Sequence, residues 1–199
     1  MAARQRKREQ IMRAAEELFT AGRFHEIKME DIAKRAGVGK GTIYRYFSDK
    51  DDLFHQVALA GHEALCALVE SRGGPSEEFD VALRNVCAAV GDFFVSRIRV
   101  WQMMQTEERR LTRHRGHCRE NWMQRRQRLL LALASVLKRG VAEGRLRSDV
   151  AVESLAAMLL GMLRSATGAM GGGPVLTSDQ VMDLFLRGAV VPRGKEAAR

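Results

Sequence analysis

Cysteine and tryptophan are scarce in this sequence, and no segment has the alternating polarity of a β-strand. The 199 residues include three cysteines and two tryptophans. Cys66, Cys87 and Cys118 are far apart, odd in number and form no CxxC pair. This spacing argues against a disulfide framework or a structural zinc site, and it fits a reducing cytosol. With no strands indicated, the apolar spacing predicts an all-α fold.

Long apolar runs and a secretory signal are also missing. The longest apolar stretch, residues 154–163, is far shorter than a membrane-spanning helix, which needs about 20 residues. The basic residues near the N-terminus precede no apolar segment of the kind found in signal peptides. We therefore expect a soluble, cytoplasmic protein with no membrane partner.

Acidic residues are in the minority. The 33 Lys and Arg residues outnumber the 24 Asp and Glu residues, and the net charge is +9. Such an excess suggests a polyanionic partner. Residues 97–147 are the most basic part of the chain, whereas residues 51–96 are acidic overall. The most basic part therefore lies outside the motif described next.

Residues 29–50, MEDIAKRAGVGKGTIYRYFSDK, predict two short helices joined by a tight turn. Apolar residues recur at helical spacing up to Ala36, and Gly37 is a typical helix stop. The second helix has Ile43 and Phe47 on its inward side and polar and aromatic residues on its outward side. Such a pair is a helix-turn-helix, whose second helix enters the major groove of DNA.

The same part of the chain resembles the tetracycline-repressor (TetR) family of bacterial regulators. The matching segments, in this order, are Asp31-Ile32-Ala33, Ala36-Gly37-Val38, Lys40-Gly41-Thr42-Ile43-Tyr44, Tyr46-Phe47 and Lys50-Asp51-Asp52-Leu53-Phe54. The family usually has Ser at the position of Gly39 and Ser or Thr near Lys28, where each caps a helix. Glycine is a tolerable substitute that costs roughly a few tenths of a kcal/mol.

The resemblance implies a ligand-responsive repressor that binds a palindromic operator as a homodimer. It implies a three-helix DNA-binding domain over residues 1–50 and a larger helical domain for effector binding and dimerisation over residues 51–191. Residues 192–199 are expected to be a disordered tail. No cofactor is implied.

The residues expected to contact DNA lie on the outward side of the second helix of the motif and just after it. They are Lys40, Gly41, Thr42, Tyr44, Arg45, Tyr46 and Lys50. Ser48 with Asp51 predicts a capping box at the start of the next helix, where Lys50 is expected to hold a phosphate. The basic residues near Arg4, ahead of a first helix predicted over 6–21, are expected to reach phosphate or the minor groove.

The C-terminal part predicts further helices, including ones over 100–111, 118–143 and 151–170. The helix over 151–170 is apolar nearly all round, which is typical of a helix buried on more than one side. Its small residues Gly161, Ser165 and Gly168 permit close approach of another helix. We therefore expect this helix and the one that begins near Thr177 to form the homodimer interface.

Methionine and aromatic residues of this part suit a cavity with adaptable walls, although each is individually typical of a core. The predicted ligand-binding residues are Phe93, Trp101, Met104, Trp122, Arg126, Met158 and Met162. Arg119 and Arg126 are predicted on the apolar side of the helix over 118–143. Either they pair with acids such as Glu107 or Glu108, or one holds the acidic end of a largely apolar effector.

Other functions are weakly supported by the residues. The segment around Gly37–Thr42 lacks the glycine and hydroxyl positions of a P-loop. His114, His117 and Cys118 are too few for a closed metal site. No catalytic constellation stands out, so an enzyme is not expected. An architectural DNA-binding protein without an effector remains the alternative, and a fully packed C-terminal core would favour it.

Overall fold

The computed structural model of this protein describes residues 2–74, 77–98, 100, 116–168 and 175–189, with no side chains described in 116–122. Its described residues form helices and no strand, which confirms the predicted all-α class. The helices are α1 (Ala2–Ala21), α2 (Met29–Arg35), α3 (Lys40–Tyr46), α4 (Lys50–Arg72), α5 (Phe79–Ser96), α6 (Gly116–Ala142), α7 (Val152–Ala166) and α8 (Ser178–Ala189). The helix predicted over 100–111 and the tail lie outside the described residues, apart from Val100.

Two compact units divide the chain. The first comprises Met1–Ala64 and Arg97–Arg125, and the second comprises Leu65–Ser96 and Arg126–Arg199. The domain boundary proposed after residue 50 falls at the start of α4, which continues without a break to Arg72. That boundary stays a prediction.

The first unit has an apolar core that joins α1, α2, α3 and the start of α4. Ile11, Phe19, Ile32 and Ile43 are fully buried in it. The Phe19 ring meets the Phe54 ring edge to face, with centroids 5.2 Å apart, a favourable geometry for aromatic pairs. The periodic apolar residues of α1 to α3 therefore all point into one core. The polar sides of these helices consequently face away from that core.

Helix α1 begins earlier than the spacing of its apolar residues predicts. It starts at Ala2 rather than near residue 6. Its first turns carry good helix formers, and Gln5 donates a side-chain hydrogen bond to Glu9 one turn later (2.8 Å). Arg4 is therefore part of the helix and not of an extended arm.

The start of α4 is capped by residues other than the predicted pair. The Asp52 backbone N–H donates to the Asp49 carboxylate (2.7 Å), and the Ser48 backbone N–H donates to the Asp52 carboxylate (3.0 Å). Asp49 is thus the capping residue, and the predicted pair Ser48 with Asp51 is wrong by one position. Aspartate is as good a cap as serine, and its negative charge also suits a helix N-terminus.

The second unit packs α5, α7 and α8 against one another, with the apolar side of α6 also buried. Gly140 of α6 lies against the Phe79 ring of α5. A Cβ atom at Gly140 would lie 2.5 Å from Phe79 Cζ, which is far inside van der Waals contact. Glycine at this position is therefore a packing requirement.

Most described arginines of the basic segment 97–147 bind groups within their own unit. Arg97 Nε donates to Glu16 Oε1 at 2.6 Å, and Arg128 pairs with Glu70 at 3.2 Å. Arg125 Nη1 donates to the Leu59 carbonyl oxygen at 2.8 Å, and Arg139 Nη1 to that of Gly74 at 2.6 Å. Much of the positive charge of this segment, which lies outside the helix-turn-helix, therefore stabilises the fold through hydrogen bonds and ion pairs.

Helix α7 is shorter than predicted. It ends at Ala166 rather than near residue 170, and Gly168 adopts a left-handed conformation with φ of 71°. Glycine after a helix end is a common stop because it takes positive φ without steric cost. None of the described helices is long and apolar enough to cross a membrane.

Candidate functional site

The turn between α2 and α3 is a Schellman motif centred on Gly37. The Val38 N–H donates to the Ala33 carbonyl oxygen (2.9 Å), and the Gly37 N–H donates to that of Lys34 (3.1 Å). Gly37 has φ of 62°, a value that few residues with a Cβ adopt. The glycine therefore ends α2 and sets the direction in which the chain enters α3.

Helix α3 and its C-cap turn two residues fully inward, and Tyr46 packs partly against the same core. Ile43 is fully buried, and Phe47, which caps the helix end, is 1% exposed. Tyr44 is 44% exposed despite its large ring, and no described atom lies within 4 Å of a Cβ built at Gly41. The predicted DNA-contacting residues on α3 are exposed or half-buried: Lys40, Gly41, Thr42, Tyr44, Arg45 and Tyr46.

A basic groove lies between the first turns of α1 and the outward side of α3. Its volume is about 740 Å³, and it is open to solvent. It is lined by Ala3, Arg4, Lys7, Gly37, Val38, Gly39, Thr42, Arg45 and Tyr46. Three cationic side chains and the backbone of the turn thus face the same groove, an arrangement suited to a phosphate chain.

Helix α1 contacts the turn through Gln10 and the neighbouring helices through Arg8, and sequence reasoning missed these contacts. Gln10 Nε2 donates to the Ala36 carbonyl oxygen at 2.7 Å. Arg8 donates to Gln56 at 2.8 Å and lies over the Phe47 ring, 5.6 Å from its centroid. These three contacts join positions at least 26 residues apart, so no local pattern could reveal them.

Lys50 has partners within the first unit. Its ammonium donates to the carbonyl oxygens of Phe24 (2.7 Å) and Ile27 (2.8 Å) and lies 4.4 Å from the centroid of the Phe24 ring. The α1–α2 loop therefore closes around this cation. These contacts suit Lys50 to positioning the loop, and its predicted phosphate contact stays a prediction.

We expect Lys50→Met to lower the free energy of unfolding by about 1–3 kcal/mol, because two carbonyl oxygens lose a charged donor. If Lys50 only positions the loop, the salt dependence of DNA binding stays unchanged. Thermal unfolding and binding titrations at several salt concentrations measure both effects. The control is Lys34→Met, which removes an exposed cation. Unchanged stability together with a shallower salt slope in Lys50→Met would restore the phosphate assignment.

Another contact missed by sequence reasoning joins α2 to α3. Lys40 Nζ lies 2.7 Å from Glu30 Oε1. The hydrogen bond from Lys40 holds the pKa of the Glu30 carboxyl below its ordinary value, helped by the carboxyl's own backbone hydrogen bond and the Lys40 charge. The same pair raises the pKa of Lys40. Both groups are therefore charged at neutral pH.

The predicted ligand-binding residues of the second unit differ in exposure. Phe93 is buried, Met162 is half-buried and Met158 is 59% exposed. Trp101 and Met104 lie outside the described residues, as does the side chain of Trp122. Their assignment to an effector pocket stays a prediction.

The predicted place of Arg126 on the apolar side of its helix is wrong. Arg126 is exposed, whereas Leu129, Leu133, Val136 and Leu137 are buried as predicted. The buried positions follow a spacing of four residues, so Arg125 rather than Arg126 continues their line. The side chain of Arg119 lies outside the described residues.

No group of three or more His, Cys, Asp or Glu residues within the described ranges could hold a metal ion. Cys66 and Cys87 are buried and are not part of a disulfide. Burial raises the pKa of the Cys87 thiol to about 12. This thiol is therefore protonated and unreactive at neutral pH.

Part of the first unit matches a known protein family, and the chain has known relatives over most of its length. Residues 11–57 match the model of a family described as bacterial regulatory proteins, tetR family. The HTH-type transcriptional regulator YdgC of Bacillus subtilis is 26% identical over 196 residues, which are 95% of each chain. The HTH-type transcriptional repressor AcnR of Corynebacterium diphtheriae is 25% identical over 182 residues, covering 89% of this chain and 88% of its own.

Solved structures share the fold over most of the chain. The crystal structure of FadR from Bacillus subtilis in complex with stearoyl-CoA superposes with a TM-score of 0.71 and 22% identity, covering 90% of this chain and 98% of FadR. Neither the family nor these relatives are enzymes. Residues 11–57 belong to the tetR family of bacterial regulatory proteins, and the chain is a DNA-binding transcriptional regulator.

Proposed function

We propose that this protein is a ligand-responsive repressor that binds a palindromic operator as a homodimer. The observation that carries the proposal is the face of α3, where Tyr44 is 44% exposed while Ile43 is fully buried. A large aromatic ring beside polar neighbours on the outward side of this helix suits contact with base edges. The relative AcnR is named a repressor, which favours repression over activation.

The roles of the DNA-contacting residues follow from their positions. Thr42 and Tyr44 stand on the outward side of α3 and are suited to base edges. Arg45, Arg4 and Lys7 line the basic groove and are suited to phosphates. Phosphate contacts fix the position of the protein on the duplex, and base contacts choose the sequence.

The homodimer is supported by an open face on α7 and α8. Met158 is 59% exposed and Leu184 is 51% exposed. No described atom lies within 4 Å of a Cβ built at Gly161, and Ser165 is exposed on the same side of α7. Exposed apolar side chains next to small residues suit a self-complementary interface around a two-fold axis.

The effector is proposed to be a largely apolar molecule with an acidic end. FadR, which shares the fold, was crystallised with stearoyl-CoA, a long acyl chain joined to an anionic carrier. In this chain Phe93 and Met162 supply apolar side chains in the second unit. Arg164 of α7 has a buried Nε without a hydrogen-bond partner among the described residues. An arginine in that position suits a carboxylate or phosphate.

We expect Arg164→Met to weaken the binding of long-chain acids or acyl-CoA by about tenfold to a hundredfold, which is the loss of one charged hydrogen-bonded pair. The matching alcohols should bind the wild type and the variant alike. Fluorescence or calorimetric titration measures both. Arg126→Met is the matched control, since Arg126 is exposed and its loss should leave acid binding intact. Equal affinities for acid and alcohol in the wild type would refute an anionic effector.

Selection of bound sequences from random DNA tests the proposed function directly. We expect enrichment of an inverted repeat whose half-sites lie on one side of the duplex, because two recognition helices are related by a two-fold axis. Failure to enrich any sequence, with DNA binding retained, would favour an architectural DNA-binding protein. Operator affinity that no acyl compound alters would remove the proposed effector class.

A further inference from the structure

The contact between Glu30 and Lys40 places a carboxylate beside the recognition helix. Lys40 is the first residue of α3, and Glu30 is the second residue of α2. Their charged atoms lie 2.7 Å apart, and the side chains are 67% and 49% exposed respectively. The pair therefore faces solvent at the end of α3 that a duplex would approach.

A carboxylate at this distance changes what Lys40 offers to DNA. A cation that binds a phosphate gains affinity by releasing a counterion from the duplex. Lys40 already has an anion in contact, so a phosphate must compete with Glu30 for the ammonium. If the phosphate displaces Glu30, the carboxylate remains nearby and repels it. Either way Lys40 contributes less than an unpaired lysine would.

The loss falls unequally on different DNA sequences. Binding to unrelated sequence rests almost entirely on phosphate contacts, whereas operator binding adds contacts to base edges. When α3 lies fully in the groove of an operator, Thr42 and Tyr44 supply such contacts. Once base contacts fix α3 in the operator groove, Lys40 stays on Glu30 and its phosphate contact is not part of operator binding. A complex without base contacts depends on every cation that reaches a phosphate, so the Glu30 contact weakens unrelated DNA more than the operator.

We propose that Glu30 is a specificity-determining residue, which lowers affinity for DNA of unrelated sequence by holding the Lys40 ammonium against α2. The proposal rests on the proposed contact of α3 with DNA. Its functional consequence is a larger difference in affinity between operator and bulk DNA. The other ion pair of α2, Arg35 with Glu17, joins α2 to α1 and involves no residue of α3.

The test compares full-length wild type with Glu30→Gln, using a duplex of random sequence and the selected operator. Dissociation constants are measured by fluorescence anisotropy over a series of salt concentrations. In Glu30→Gln we expect affinity for the random duplex to rise about threefold to tenfold and the salt slope to steepen by about 0.9, the value for one additional phosphate. Operator affinity should rise less, so the ratio between the two falls.

Two further variants make the result specific. Lys40→Met in the Glu30→Gln background should abolish the gain, because the freed cation is then absent. Glu17→Gln adds the same unit of positive charge but frees Arg35, and it should leave the salt slope near the wild-type value. Circular dichroism and thermal unfolding check that each variant keeps the fold.

Two outcomes would overturn the proposal. One is a salt slope in Glu30→Gln equal to that of Glu17→Gln. The other is that Glu30→Gln binds the operator more weakly and that this loss depends on the identity of one base pair. Such a result would mean that Glu30 accepts a hydrogen bond from a base such as cytosine. The random-duplex measurement needs no operator. A protein without a preferred sequence would refute the proposed function and the specificity role of Glu30, and the salt slope would still show whether Glu30 keeps Lys40 from phosphate.

Discussion

Replacing Gly161 by leucine is expected to convert the protein into a monomer that keeps its fold but binds operator DNA much more weakly. Among the described residues, no atom outside its own helical turn lies within 4 Å of a Cβ at this position, so a side chain can begin here without a clash. Leucine also has a higher helix propensity than glycine, by roughly 1 kcal/mol. The single chain should therefore be as stable as the wild type.

The Gly161→Leu substitution is expected to act only at the interface between two subunits. A four-carbon side chain at a close helix contact forces the helices apart and costs about 1–3 kcal/mol, and a two-fold axis repeats the change in both subunits. We expect the dimer dissociation constant to rise at least about a hundredfold. Operator affinity should fall by about a hundredfold or more, because binding the second half-site then becomes a separate bimolecular event. Sedimentation velocity and operator titration measure the two quantities.

Two other glycines serve as references for this experiment. Gly140→Ala should lower stability without any role in assembly, since its Cβ would lie 2.5 Å from Phe79 Cζ. Gly168 is a poor probe of the interface, because its φ of 71° makes any substitution strain the backbone. An unchanged sedimentation coefficient for Gly161→Leu would place the interface elsewhere, as would a monomeric wild type at micromolar concentration.

The contrast among these glycines illustrates what the sequence can and cannot predict. Gly37 was identified as a helix stop from its neighbours alone, because apolar residues at helical spacing precede it. The role of Gly140 depends on Phe79, about sixty positions away in the chain, and no local pattern contains that information. Gly168 was expected within a helix, since the sequence does not reveal which of several small residues takes positive φ.

The candidate site divides in the same way. The outward residues of α3 were predictable, because the inward positions of Ile43 and Phe47 leave the rest of the helix surface to solvent. The partners of Lys50 were not, because its ammonium reaches carbonyl oxygens 23 and 26 positions earlier. Arg126 was misplaced because helical periodicity alone fixes the direction of a side chain only to within a broad sector. Contacts between helices decide such cases, and they depend on the tertiary fold.

The second large effect is expected from Tyr44→Ala, which should weaken operator binding about tenfold to a hundredfold. This range corresponds to the roughly 1–3 kcal/mol that a good base contact contributes. The fold should be kept, because the ring is 44% exposed and truncation creates no buried cavity. Affinity for a duplex of random sequence should change little, since Tyr44 carries no charge to release counterions.

Two neighbouring substitutions separate the explanations for a Tyr44→Ala effect. Tyr44→Phe keeps the ring and removes the hydroxyl, so affinity restored by phenylalanine would assign the contact to the ring, for example to a thymine methyl group. Ile43→Ala removes a fully buried side chain and should cost about 2–5 kcal/mol of stability. It should therefore weaken binding to operator and random duplex together, through loss of the folded motif.

If Tyr44→Ala also weakens binding to both duplexes equally while thermal unfolding is unchanged, Tyr44 contacts the DNA backbone and not a base. The outward face of α3 would then read sequence through Thr42 and its other neighbours.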